Sequence, residues 1–189
     1  MKDKKKLPAL LAAVSLALIL IGSVLAQMFN TSHHTVSVDR IRFDTDKGVL
    51  SGLLYLPDGA SESDPRPTVV VTHGYLNSAE MQDANAIELS RRGYVVLALD
   101  MYDHGHSKGN AENTGGFFSF WPTALYDAVS YMYQQPYVLK DDAGNGIIGV
   151  TGHSMGGFST AMALYLDEND FAETGVRKLH CGLSEGADF

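Results

Sequence analysis

Gly146-Ile147-Ile148-Gly149-Val150-Thr151 runs without a break into Gly152-His153-Ser154-Met155-Gly156-Gly157, and the fold turns on how this stretch is read. The first half is a short apolar run with the character of a strand buried on both faces of a parallel sheet. The second half is a G-x-S-x-G pentad, followed by residues at helical spacing that predict a helix from Ser154 to about Asp167. A serine at a sharp strand-to-helix turn is pushed out of the backbone and into whatever cleft lies above the sheet. Glycines two before and two after it, Gly152 and Gly156, remove the side chains that would collide across such a turn, with Gly157 beyond them. A bare G-x-S-x-G in a chain with 19 glycines is also an ordinary turn. Position between a buried strand and a helix separates the two readings, and it makes Ser154 a candidate nucleophile. The start of the helix adds a free Met155 N–H and the positive end of the helix dipole, where negative charge would develop on a carbonyl under attack.

Working outward, the same strand–helix alternation recurs upstream. Thr68-Val69-Val70-Val71-Thr72 and Tyr94 to Leu99 are further buried runs. Ala79 to Arg92 has helical spacing and stops at Gly93, and Pro122 to Gln135 predicts another helix with proline in its first turn. A last strand is expected near Val176 to Leu183. Ahead of these, Val36 to Phe43 and Val49 to Leu56 flank the turn Asp44-Thr45-Asp46-Lys47-Gly48, which predicts an antiparallel hairpin. Pro57 to Pro67 can only be a surface loop. The pattern is α/β: a mostly parallel sheet with helices on both faces.

The N-terminus is of another kind. Lys2, Lys4, Lys5 and Lys6 precede the uncharged apolar run Leu7 to Ala26. In helix, such a run reaches about 30 Å, the thickness of a bilayer's hydrocarbon core. The lysines would stay cytoplasmic and the remainder would be exported. The expectation is a single-pass anchor through residues 7–26, with a linker at 28–35 and the domain at 36–189. The alternatives are a signal peptide cleaved near Ala26 and, less in keeping with the run's character, a helix buried in the domain.

Composition closes off other classes. The net charge of −8 and the absence of a basic cluster beyond the N-terminus argue against nucleic acid as a partner. A single cysteine, Cys181, permits no intrachain disulfide and no cysteine-rich zinc site. His104 and His106 have the spacing of a metal pair, but nothing else supports one, and no metal or organic cofactor is expected. Nothing in the sequence speaks to oligomeric state.

Four segments taken together resemble the α/β-hydrolase family, in its serine aminopeptidase and monoglyceride lipase-like branch. They are Val69 to Tyr75, Tyr94 to Asp100, Asp103-His104-Gly105-His106-Ser107 and Thr151 to Gly157. The resemblance implies hydrolysis of an ester or amide of a small-molecule substrate by Ser154. It implies an oxyanion hole from the backbone N–H groups of Tyr75, after His73-Gly74, and of Met155. It also implies that His73 shapes the oxyanion loop, that His104 is structural, and that His153 packs beneath the elbow rather than acting as base. Asp103 departs from the family's loop, where glycine is usual; aspartate tolerates the left-handed conformation. The family's triad runs Ser, then Asp or Glu, then His along the chain. Asp167 and Asp170 are about 20 Å down the helix from Ser154, and His180 has no evident acid partner. The triad acid and base are therefore expected beyond Phe189, the domain being incomplete after about its sixth strand. A non-catalytic fragment or binding remnant is the alternative. Tyr75, Tyr102, Phe117, Phe118 and Trp121 are candidates for an apolar cleft wall, or equally for core.

Overall fold

The computed structural model describes residues 6–110 and 120–186. Lys2, Lys4, Lys5, Phe117 and Phe118 lie outside the described residues. Seven strands form one sheet: β1 (Val36–Thr45), β2 (Gly48–Pro57), β3 (Thr68–Thr72), β4 (Val95–Asp100), β5 (Lys108–Gly109), β6 (Ile148–His153) and β7 (Cys181–Glu185). Their order is β1-β2-β4-β3-β6-β7, with the two-residue β5 pairing to β2. The hairpin β1–β2 is antiparallel and docks antiparallel on β4, whereas β4, β3, β6 and β7 run parallel. The parallel strands therefore share one end, the C-terminal edge, at which Thr72, Asp100 and His153 stop. The opposite, basal edge holds Thr68, Val95 and Ile148.

Sequence character accounts for this order. Every residue of β4 is buried, as a continuous apolar run between two covered faces requires. On β6 the alternation is strict: Ile148, Val150 and Gly152 are buried, while Gly149, Thr151 and His153 face the other way. One face is covered by α3 (Ala124–Tyr133) and α4 (Met155–Thr174), around a core that includes Leu97, Leu99, Leu125, Met132 and Ile148. Among the described residues, the other carries the helical turn Ala79–Gln82 and the short α2 (Asp83–Ser90), over Val71, Val96 and Ala98. Beyond α2 this face opens into an apolar groove of about 520 Å³ between Leu89, Val69, Gly149 and Leu183.

Two boundaries differ from expectation. The last strand begins at Cys181, not Val176. Before it, Gly146 donates to Arg177 O and the Asp167 carboxylate takes the N–H groups of Lys178 and Leu179, so that segment is tied down without strand pairing. Helix α4 continues two turns past Asp167, because that side chain is turned inward to those amides, and it ends at Gly175 in the left-handed conformation.

The apolar N-terminal segment is one helix, α1 (Lys6–Asn30), with no buried residue. It is therefore not a core helix. By length and composition it qualifies to cross a membrane.

Candidate functional site

Ser154 sits between β6 and α4 with φ 55° and ψ −118°, a conformation that L-residues rarely adopt. The turn is tight enough to dictate its neighbours. A Cβ on Gly152 would lie 2.2 Å from Gly156 O, and one on Gly156 would lie 2.6 Å from Thr72 Oγ1 and 2.7 Å from His73 O. Gly157 is buried in the first turn, where its N–H donates to Ser154 O at 2.9 Å. Ser154 N–H donates across to Glu185 O on β7 at 2.8 Å, which pins the elbow to the neighbouring strand. Met155 opens α4, so its N–H has no acceptor inside the helix.

Facing the elbow is the turn after β3. A Cβ on Gly74 would come within 3.3 Å of Ser154 Cβ, so this backbone lies directly against the candidate nucleophile. His73 shapes that turn. It is fully buried, accepts Met101 N–H at Nε2 (3.1 Å) and places Nδ1 2.6 Å from Gly74 O. Those partners require a neutral ring protonated on Nδ1, and burial pushes its pKa below the ordinary histidine value. Tyr75 follows, half exposed at the mouth. Leu76, with φ 59°, donates its N–H to His104 Nε2 at 3.1 Å, while His104 Nδ1 lies 3.0 Å from Tyr102 O. His104 thus links two loops, whereas His106 is turned to Asp100, with Nδ1 3.6 Å from its carboxylate. Asp103 takes the left-handed conformation at φ 58°, and its carboxylate accepts Gly109 N–H at 2.9 Å. The departure from glycine there is accommodated.

Sequence reasoning passed over Asp100. It is fully buried at the end of β4 and accepts from Ala79 N–H (2.7 Å), His106 N–H (3.0 Å) and Arg40 Nη1 (3.0 Å). A Cβ on Gly105 would fall 2.2 Å from its Oδ1, so the loop closes around this carboxylate. One side chain therefore ties β1, the turn after β3 and the 101–107 loop together below the site. The available signal was an acidic residue closing an otherwise apolar buried strand.

Of the two readings open for them, cleft wall or core, Tyr102 and Trp121 take the core, at 0% and 1% exposure. Tyr102 points its hydroxyl at Asp127 (2.8 Å) and stacks on Phe120, which draws it into the interior. His153 is exposed rather than packed beneath the elbow, because strand alternation turns it to the face that α4 does not cover. His180 lies at the basal edge, where its N–H donates to Ile148 O, roughly 20 Å of strand from Ser154. Asp167 and Asp170 are engaged at the far end of α4 with Lys178, Leu179 and Tyr126. Among the described residues, none hydrogen-bonds to Ser154 Oγ.

Residues 63–176 match the family described as "Serine aminopeptidase, S33". The chain belongs to this α/β-hydrolase family. Solved structures with the same fold include a hypothetical protein from Pseudomonas aeruginosa, with TM-score 0.65 and 21% identity over 82% of this chain and 44% of that one. A bacterial heroin esterase aligns with TM-score 0.60 and 21% identity over 93% of this chain and 51% of the esterase. Est1E of Butyrivibrio proteoclasticus, with ferulic acid bound, aligns with TM-score 0.55 and 27% identity over 68% of this chain and 48% of that one. The chain thus spans about half the length of these structures. No curated protein matches it. Within this family match the chain places the strand-to-helix turn at Ser154 against the loop that follows β3.

Proposed function

We propose that this chain contributes the nucleophile and oxyanion hole of a membrane-anchored, extracytoplasmic serine hydrolase acting on an ester or amide of a small molecule. The observation that carries the reading is the backbone of Ser154, held in a strained conformation at a strand-to-helix turn with Gly74 packed against it. Strain of this kind costs about 1–3 kcal/mol and persists where the surroundings over-determine it. Here it keeps the serine at the C-terminal edge of the parallel strands, which in this reading is the catalytic edge.

In the proposed reaction Ser154 Oγ forms a bond to the carbonyl carbon and the carbonyl π pair moves onto oxygen. The N–H groups of Tyr75 and Met155 hold that oxyanion. Collapse expels the alcohol or amine, which takes up the proton given by Ser154, and leaves an acyl-serine that water hydrolyses. The base that carries this proton and the acid that orients it are not assigned to any described residue. Family membership and the heroin esterase that shares this fold support an ester or amide; the apolar helix α1 after a lysine cluster supports the anchor and the exported domain from Val36 onward.

A second reading, a binding remnant that keeps the cleft without the chemistry, takes the hydrogen bonds at face value: among the described residues no histidine bonds to Ser154. A fluorophosphonate probe separates the two. Labelling of the folded full chain that disappears in Ser154→Ala supports the hydrolase. Absence of labelling, with far-UV circular dichroism showing folded protein, assigns the remnant. Loss of the base in a serine hydrolase costs on the order of 10⁶ in turnover, so the contrast is large.

A further inference from the structure

The described residues leave almost no slack between the apolar helix and the domain. Helix α1 continues past Ala26 to Asn30. There Arg91, at the end of α2, donates to Phe29 O at 3.1 Å. Thr31 is buried; its hydroxyl donates to Gln27 O at 2.7 Å and accepts His34 N–H at 3.1 Å. Val36 N–H then donates to Thr31 O at 3.0 Å, and Asp58 N–H to Thr35 O at 2.9 Å. Three successive residues of this turn, Ser32, His33 and His34, have positive φ, which turns the chain sharply from helix into β1.

Every one of these contacts is at the basal edge. Val36 pairs with Pro57, below the level at which Val38 faces Tyr55 and Tyr55 faces Val96. Ser154 is at the other edge, beyond the level of Thr72 and Leu99. Counting strand residues between the two levels gives about 23 Å along the strands. The remaining helix from Gln27 to Asn30 rises only about 6 Å, comparable to the thickness of one headgroup layer. No residue from Lys6 to Gln27 is covered by the domain, so the helix leaves the base rather than running up its side.

Resting on the reading of α1 as a retained membrane anchor, we propose that the domain stands basal edge down on the bilayer, with the catalytic edge opening into water about 20 Å above the headgroups. A lipid of the anchoring leaflet would have to leave the bilayer entirely to reach Ser154. The substrate class that fits is therefore a water-borne ester or amide, a soluble ester or a peptide, rather than an acyl lipid of the same membrane. The contact is set by the helix and not by lipid charge. Among the described residues, the basal Arg66, Arg91 and Arg92 are each paired with Asp64 or Glu88, and the exposed Lys140 is followed by Asp141 and Asp142, so the cations there are offset by carboxylates.

The test places a bimane fluorophore on the full chain in phosphatidylcholine vesicles carrying a nitroxide on the headgroup. In a Cys181→Ser background, which removes the one exposed native thiol, the label goes on Arg92→Cys at the base or on Asn77→Cys at the catalytic edge. Both positions are surface-exposed, so neither variant perturbs the core. The expected result is a strong loss of emission at position 92, unchanged emission at position 77, and the same contrast when anionic lipid is added. Quenching at position 77 equal to that at 92 would overturn the orientation. Protein that fails to float with the vesicles, or whose mass shows a start at Gln27, would overturn it differently, by removing the anchor. Fluorophosphonate labelling of Ser154 in the same sample reports separately on the hydrolase reading.

Discussion

Replacing Gly152 by alanine puts a methyl group where there is no room, and the consequence can be worked from its neighbours. The added Cβ would lie 2.2 Å from Gly156 O, 2.3 Å from Gly156 C and 2.4 Å from Thr72 Oγ1. Ordinary Cβ contacts begin near 3.4 Å, so β6 and the first turn of α4 must part by about 1 Å. Two of the three obstructing atoms are backbone and cannot rotate away. Overpacking of this kind costs about 1–3 kcal/mol, and immovable neighbours place this case near the top of that range. The unfolded chain offsets a fraction, because alanine has less freedom to lose than glycine. For a chain of this length a cost of about 2–3 kcal/mol lowers Tm by roughly 5–10 °C. Gly149, three residues earlier on the same strand, is the internal control. Its Cβ would meet Cys181 Sγ at 3.4 Å and nothing closer. Gly149→Ala should be neutral or stabilising by up to about 1 kcal/mol. Urea unfolding of the full chain in mild detergent, followed by far-UV circular dichroism, measures both. Equal stabilities for the two variants would refute the packing of the elbow described above.

Three further outcomes follow from the same geometry. Ser154→Gly should be more stable than Ser154→Ala by about 1 kcal/mol or more in the same urea assay, because only glycine relieves the backbone strain at φ 55°; an alanine variant of equal stability would contradict it. His73 is held neutral with its pKa below the ordinary 6.5. In the unfolded chain it protonates first as pH falls, so its contribution is fully present above that value and is lost below it, with a slope of at most about 1.4 kcal/mol per pH unit. His73→Gln should flatten thermal stability against pH in that window, and an unchanged slope would dismiss the buried neutral ring. Asp100→Ala removes a buried carboxylate with three donors and leaves Arg40 with only Glu80. A loss of about 3–5 kcal/mol is expected by chemical denaturation, as for one partner of a buried pair.

The parts of this protein that were legible in its sequence are those whose physics is local. The elbow at Ser154 needs only a buried strand, two glycines at fixed offsets and a helix start, all within a dozen residues. The β1–β2 hairpin and the apolar helix likewise follow from short-range periodicity and length, and Asp103 carried its left-handed tolerance in its own side chain. What tertiary structure decided are the contacts that join distant segments. Asp100 became the tie below the site only because Arg40 and Ala79 are brought to it from 60 and 21 residues away. Tyr102 and Trp121 became core rather than cleft wall because aromatic identity does not say which side of a loop will face the sheet. His153 was placed by which face of the sheet α4 covers, and the start of β7 by where Asp167 caps the approaching chain. The edge from which the apolar helix departs was also decided in three dimensions, by the register of β1 on β2 and of β2 on β4. That register sets the helix and Ser154 at opposite ends of the sheet, since pairing between strands is a property of the whole sheet and of no single stretch of chain.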